Sequence, residues 1–352
     1  MPMPDDITTI VFDWGDTLMA VDPRFSGPMA DWPEVRAVEG VPETIAALAG
    51  RYRLAVASNA VDSSAAQVQA ALARAGLEGK FSNIFTFAEL GRKKPDPAFF
   101  FQVAEALDAL PRQLVMVGDS YAVDIPGARR AGWRAVWYNP SGKAAPGPAP
   151  LHDAECCRMS GLLDCLARLD LPDIQTCQAW YLEQGGTAQL WQHVEAVGIA
   201  SYHLAVWLRA AGLGVDPLLA HRGGLLHDIA KISSRHTRRS HGEAGFEILN
   251  SFGQRGLAEI SRRHMIYTLH DPQNGPRTWE EKIVHFADKI CEGSRLVEWR
   301  ERLQGLVGRY PDQAGSLTAC TPAVNALQAE IASAAGILPA EVIANLRQAI
   351  NS

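Results

Sequence analysis

The sequence is short of several things, and each absence narrows its class. Its six cysteines, Cys156, Cys157, Cys165, Cys177, Cys291 and Cys320, form no C-x-x-C pair, and four of them crowd between residues 156 and 177. A chain this long without a secretory segment is not expected to rest on a disulfide framework. The opening MPMPDDITTI has no basic stretch followed by an apolar run, so no leader is expected. No stretch approaches the roughly 18 apolar residues that span a bilayer. These absences point to a cytoplasmic protein with no membrane partner. A basic excess is missing too: the net charge is −6. That argues against a general nucleic-acid binder, while leaving room for local Arg and Lys clusters around a phosphorylated substrate. No internal repeat is visible.

What is present is an ordinary globular composition, 47% hydrophobic and 20% charged, over 352 residues. That length exceeds what one hydrophobic core usually organises, so two domains are expected. The first half alternates short apolar runs with helical patterns. Thr8 to Phe12, Arg53 to Ala57, Gln113 to Val117 and Arg134 to Trp137 read as strands, with a less clear one near Ile84 to Phe87. Helix-like stretches lie between them at Pro42 to Ala49, Ser63 to Ala75, Pro97 to Leu107 and Ile125 to Ala131. This alternation predicts an α/β doubly wound parallel sheet, whose chemistry collects at the carboxyl ends of its strands. Asn139 to Pro150 is Pro/Gly-rich and has the look of a boundary, but His152 to Leu169 still shows a strand-then-helix pattern. The junction is therefore expected near Leu171 to Gln178, giving domains 1–172 and 173–352. Beyond it strand signals vanish, and the second domain is expected to be all-α.

Four polar motifs follow four strands of the first half. Asp13 follows TTIVF, Ser58 follows RLAVA, Asp119 follows QLVMVG, and Lys94 sits in GRKKPDP. A carboxylate nucleophile, a hydroxyl, an ammonium and further carboxylates in one cleft suit phosphoryl transfer.

Together FDWGDTL, VASN, KKPDP and GDSYAVD resemble, in order, the four motifs of the haloacid-dehalogenase-like hydrolases over about residues 7–170. The resemblance implies a Rossmannoid domain in which Asp13 forms an aspartyl-phosphate. Ser58 and Asn59 would bind phosphate oxygens, and Lys94, with Lys93 as competitor, would neutralise them. Asp13, the backbone carbonyl at Gly15, Asp119 and Asp124 would hold Mg²⁺. Such proteins usually read D-x-D-x-T, with a general acid/base two residues after the nucleophile. Here Gly15 stands at that place and Asp16 one residue later, so Asp16 is the candidate for the proton transfers. Met19 to Gly40 and Ala60 to Gly91 leave no room for a cap of domain size, so the domain is expected to be essentially capless.

The second half holds HDIAK at His227 to Lys231, His193 upstream and FADKI at Phe286 to Ile290 downstream. A His-Asp pair on one helix with a His and an Asp from others can build a metal site inside a bundle. With HGEAGFEIL at His241 and RRHM around His264, the series H…HD…H…H…D resembles the HD phosphohydrolase superfamily, in its HDIG-type subgroup with paired metals. The resemblance implies one metal on His193, His227, Asp228 and Asp288, and a second on Asp228, His241 and His264. Mixed His/carboxylate ligation suits Fe, Mn, Co or Zn. Two metals can clamp a phosphate and supply the nucleophile, with Lys231 as a phosphate contact or a solvated helix residue. His203 falls off the His193 helix face and reads as structural. His221 and His285 read as packing groups, His270 as a loop residue, and His236 competes with His241. The cluster Arg235, Arg238 and Arg239 either steers an anionic substrate or is a solvated surface.

The expected function is a bifunctional metal-dependent phosphohydrolase: an aspartyl-phosphate phosphomonoesterase joined to a phosphohydrolase or phosphodiesterase of nucleotide-like esters. One alternative makes the first domain a degenerate phosphate-binding regulatory module. A second is a nucleotide sensor or scaffold in which neither site turns over. Nucleic-acid ends stay among the candidate substrates, and an oligomer is compatible with the sequence.

Overall fold

The computed structural model describes residues 7–351; residues 1–6, part of the stretch read for a leader, lie outside the described residues. The chain divides into two compact units, one of Met1–Ser141 with Leu151–Asp170, the other of Gly142–Pro150 with Leu171–Ser352. The Pro/Gly-rich stretch is thus not itself the divide, although Gly142–Pro150 is counted with the second unit. There the Ala145 amide donates to the Tyr202 hydroxyl at 2.8 Å.

The first unit is a six-stranded sheet in the order β3-β2-β1-β4-β5-β6, parallel throughout. Its strands are β1 Thr9–Phe12, β2 Arg53–Ala57, β3 Asn83–Phe85, β4 Leu114–Gly118, β5 Arg134–Tyr138 and β6 Ala154–Cys156. Helices α1 Val41–Ala49, α2 Ala65–Arg74, α3 Phe87–Leu90, α4 Pro97–Ala106, α5 Tyr121–Arg130 and α6 Leu162–Leu166 connect and flank them. Every residue of β1 and β4 is buried, which is why these strands read as continuous apolar runs rather than alternating ones. Local signals set the helix starts: Ser64 and Gln67 form a capping box on α2, and Asp96 caps α4 ahead of Pro97. Because β1 is central, with β2 and β4 on either side, the residues that follow these three strands meet at one crevice.

The second unit is built from α7 Ile174–Glu183, α8 Ala188–Ala210, α9 Pro217–Leu226, α10 His241–Ser251, α11 Arg255–Arg263 and α12 Trp279–Lys289. It is completed by α13 Trp299–Arg309, α14 Ala314–Ala319, α15 Thr321–Ala335 and α16 Val342–Asn351. The expectation of an all-α unit needs one correction. After α12 the chain forms a small antiparallel hairpin, β7 Cys291–Glu292 with β8 Arg295–Leu296. Strands of two residues carry no periodicity to read, but Gly293, at φ +58°, supplies the left-handed turn residue. No single helix among the described residues is long and apolar enough to cross a membrane.

Two helices of this unit touch through glycine. A Cβ on Gly224 would lie 2.5 Å from the Gly198 Cα and 2.6 Å from its nitrogen, so α8 and α9 meet backbone to backbone. That crossing sets the spacing of His193, on α8, from His227, just past the end of α9. Gly224→Ala should therefore cost about 1–3 kcal/mol through overpacking, read as a lower melting temperature. Gly308→Ala, where an added Cβ meets nothing within 4 Å, should leave stability level or raised.

Candidate active sites

At the strand ends the first unit gathers carboxylates around one ammonium. The Asp13 amide donates to Val117 O at 2.8 Å, tying the end of β1 to β4. Lys94 Nζ lies 2.6 Å from Asp13 Oδ1 and 2.6 Å from Asp124 Oδ1. Lys93 instead sits over the Phe87 ring, 5.0 Å from its centroid. Burial works against the charge of Lys94, but the Asp124 and Asp13 carboxylates outweigh it and hold its pKa above the ordinary lysine value. Burial also pushes Asp124 up to about 7, against the pull of Lys94 and with the repulsion of Asp13. Asp119 is raised by burial and by Asp13 as well. A Cβ on Gly118 would fall 2.2 Å from Asp124 Oδ2, so the glycine lets that carboxylate fold against the end of β4.

One oxygen each from Asp13, Asp119 and Asp124 can be chosen within 4.8 Å of one another. Three carboxylate oxygens gathered this closely fit a hard cation such as Mg²⁺.

Some residues take places the motifs alone do not show. The Asn59 side chain is engaged with the backbone of Lys94: its Nδ2 donates to Lys94 O at 2.9 Å, and its Oδ1 accepts the Lys94 amide at 2.8 Å. It holds the lysine in place. Ser58 is buried, and its hydroxyl accepts the Ala60 amide at 3.1 Å. Thr17, present in FDWGDTL but given no role from sequence, donates to Asp119 Oδ1 at 3.0 Å and accepts the Asp119 amide at 3.0 Å. Asp16 has φ +54°, and its Oδ1 accepts the Val21 amide at 2.9 Å. A side chain at Gly15 would place its Cβ 3.1 Å from Val21 Cγ2.

In the helical unit six side chains converge in the bundle core. His241 Nε2 and His264 Nε2 lie 3.1 and 3.4 Å from Asp228 Oδ1. His193 Nε2 is 3.1 Å and His227 Nε2 3.8 Å from Asp288 Oδ1, and His227 Nε2 is also 3.5 Å from Asp228 Oδ2. His241 opens α10 because Ser240 caps that helix through the Glu243 amide. His236, its competitor, is exposed.

The imidazoles are held in one tautomer. Nδ1 of His193, His227 and His264 faces the carbonyl oxygens of Gly293, Gly224 and Ser261 at 3.3, 2.7 and 2.5 Å. A carbonyl only accepts, so each Nδ1 carries the proton and each Nε2 turns a lone pair toward the carboxylates. Lone pairs facing carboxylate oxygens repel unless a cation lies between them. Consistent with that, buried His227 Nε2 and Asp228 Oδ1 find no hydrogen-bond partner among the described residues. Nitrogen and carboxylate donors together fit a transition ion.

Charges around the cluster keep the acids ionised. Burial opposes the charge on Asp228, but Lys231 beside it holds its pKa well below the ordinary value. Lys289 and Arg302 act likewise on Asp288. Lys289 Nζ also donates to His264 O at 3.0 Å, and Arg302 bridges Asp288 to Glu292 of the hairpin. These two cations had no role from sequence, although Lys289 stands in the FADKI motif itself. Burial takes His227 down to about 3, so its ring is neutral near pH 7. His203, His221 and His285 are buried outside the cluster, and His270 is exposed.

Mn²⁺ added to metal-stripped protein should raise its melting temperature, by the equivalent of about 2.7 kcal/mol at 100 times Kd. His227→Ala should remove most of that shift. An unshifted melting temperature in the unsubstituted chain would mean that this cluster is not a metal site.

Comparison with known proteins covers both units. The family model described as haloacid dehalogenase-like hydrolase matches residues 20–132, beginning past Asp13, and the HD domain model matches residues 190–293, a span that includes all six clustered ligands. An uncharacterized protein of Methanocaldococcus jannaschii is 38% identical over 118 residues, 30% of this chain and 69% of that protein. Ribonuclease Y of Thermus thermophilus is 36% identical over 122 residues, 33% of this chain and 20% of the enzyme. Phosphoserine phosphatase of Thermus thermophilus is 43% identical over 68 residues, 19% of this chain and 27% of the enzyme. The chain thus spans under a third of the length of the two named enzymes. Its two matches and their metal-ready clusters agree: the chain joins a haloacid dehalogenase-like hydrolase domain to an HD domain, and is a hydrolase of phosphate esters from two metal-dependent families.

Proposed function

We propose that the chain carries two hydrolytic centres, a phosphomonoesterase at Asp13 and a phosphohydrolase or phosphodiesterase at the His/Asp cluster, acting on nucleotide-like phosphate esters. The observation that carries this reading is the presence of two separate donor sets, one of carboxylates with a lysine and one of oriented imidazoles with two aspartates. A ribonuclease and a phosphomonoesterase among the relatives supply a precedent for each bond class.

At the strand ends Asp13 attacks phosphorus, forming its acyl-phosphate bond as the ester P–O bond breaks, and the leaving alkoxide takes its proton from water. Lys94, held by Asn59, offsets the phosphoryl charge, and Thr17 fixes Asp119. Water then cleaves the acyl phosphate, releasing orthophosphate and restoring the carboxylate. Mg²⁺, when held by Asp13, Asp119, Asp124 and the Gly15 carbonyl, would spread the charge of the phosphoryl group. In the helical unit His193, His227, Asp228, His241, His264 and Asp288 hold their geometry through backbone carbonyls and buried cations, and Lys231 flanks the phosphate position. Divalent transition ions bound there would supply Lewis acidity and a nucleophile from water at neutral pH.

Asp13→Asn and His227→Ala should each abolish a different partial reaction in a screen of phosphomonoesters, dinucleotides and cyclic nucleotides with Mg²⁺, Mn²⁺ and Fe²⁺. Loss of all activity from either substitution alone would overturn two independent centres.

A second reading leaves the first unit as a phosphate-binding module, and Gly15 favours it, because Asp16 Oδ1 is engaged by the Val21 amide. Gly15→Asp tests it. The new Cβ meets only the end of the Val21 side chain, and restored acid/base catalysis should raise phosphomonoester turnover by about 10²-fold or more. Robust turnover in the unsubstituted chain, unchanged by Gly15→Asp, would eliminate the second reading.

A further inference from the structure

The segment between two of the clustered ligands is lopsided in charge. From Ile229 to Gly242 it reads IAKISSRHTRRSHG, with four Lys or Arg residues and no Asp or Glu, in a chain of net charge −6. Both of its ends are pinned at one place, because His241 Nε2 lies 3.1 Å from Asp228 Oδ1. Residues 232–240 therefore form a short closed loop at the rim of the cluster. The loop is a scaffold of turns rather than a slack tether. The Ser234 amide donates to Ala230 O at 2.9 Å, the Thr237 amide to Ser234 O at 2.9 Å, and the Arg239 amide to Thr237 Oγ1 at 3.3 Å. Ser234 is buried beneath it.

Its cations are not equivalent. Lys231 is bound to the Asp228 carboxylate and Arg239 to Glu247. Arg235 and Arg238 are exposed, and among the described residues neither forms an ion pair with a carboxylate. Ordinary surfaces intersperse both signs of charge, whereas this closed loop beside the cluster carries cations alone and is set to attract an anion from outside the protein. On the proposed reading of the helical site, the scissile phosphate is met by the metal the clustered ligands would hold and by Lys231. Guanidinium groups further out are placed for charge further out, and their planar donors suit phosphate oxygens. The basic stretch is confined to one loop of an acidic chain, too little to track a long polyanion.

We propose that Arg235 and Arg238 form a second phosphate subsite at the rim of the helical centre, and that the substrate cleaved there is a small ester carrying at least one phosphoryl group beyond the scissile one. This rests on the helical site being a phosphohydrolase, as argued above, and adds its substrate class.

The test is calorimetric binding of orthophosphate and tripolyphosphate to the full chain, with Mn²⁺ in excess over the probe. The unsubstituted chain is compared with the double variant Arg235→Gln/Arg238→Gln, whose fold is checked by its melting temperature. Tripolyphosphate should bind the unsubstituted chain more tightly than orthophosphate. The double variant should lose about tenfold in tripolyphosphate affinity, as befits two exposed charge-assisted contacts, while orthophosphate affinity stays within about twofold. An equal loss for both probes, or no loss, overturns the subsite. Failure of either probe to bind the unsubstituted, metal-loaded chain overturns the helical-site reading itself, and the subsite with it. A single-stranded oligonucleotide that competes better than tripolyphosphate, with the same arginine dependence, would overturn the small-ester assignment in favour of a polymeric substrate.

Discussion

The helical unit is organised around the burial of Asp228. Its side chain is only 2% exposed, yet it stays ionised because the Lys231 ammonium faces it. A charge taken so far from water has to be compensated in place, or the unit would lose stability or the charge. The cluster around it draws on several helices: His193 comes from α8, His241 from α10, His264 from the end of α11 and Asp288 from α12. Their approach depends on glycine, since Gly224 lies against Gly198, and a Cβ on Gly245 would fall 2.2 Å from Ser261 Oγ. Packing and chemistry are therefore one constraint here. The helices can come close only where side chains are absent, and the cluster exists only because they come close.

The first unit solves a similar electrostatic problem by a different construction. A parallel sheet buries its central strands on both faces and leaves only their carboxyl ends open to chemistry. Asp13, Asp119 and Asp124 gather there, and one buried ammonium, Lys94, serves two of them. Asn59 fixes that lysine through its backbone.

Much of this was legible in the amino-acid order. β2 spans Arg53–Ala57 as its apolar run suggests, and Ser240 ahead of His241 marks the start of α10. The hairpin at Cys291–Leu296 was not legible, because two-residue strands have no period and the helix before them reads straight into it. Thr17, Lys289 and Arg302 stood unassigned for a different reason. Each acts on a carboxylate through tertiary geometry, and Thr17 meets Asp119 across 102 positions of sequence.

Sequence alone determined the residue types and their order: which carboxylates follow strands, which histidines lie on helices, and that Gly15 and Asp16 depart from the usual aspartate spacing. Tertiary structure decided orientation. Only the folded chain shows that Nδ1 of three histidines faces backbone carbonyls, so that each Nε2 turns inward. Only there does Lys94 reach Asp13 while Lys93 lies over Phe87. The physical reason is that ligand identity is a local property of the chain, whereas a proton's place on an imidazole and a lysine's choice of carboxylate depend on distances of a few ångströms between elements remote in sequence.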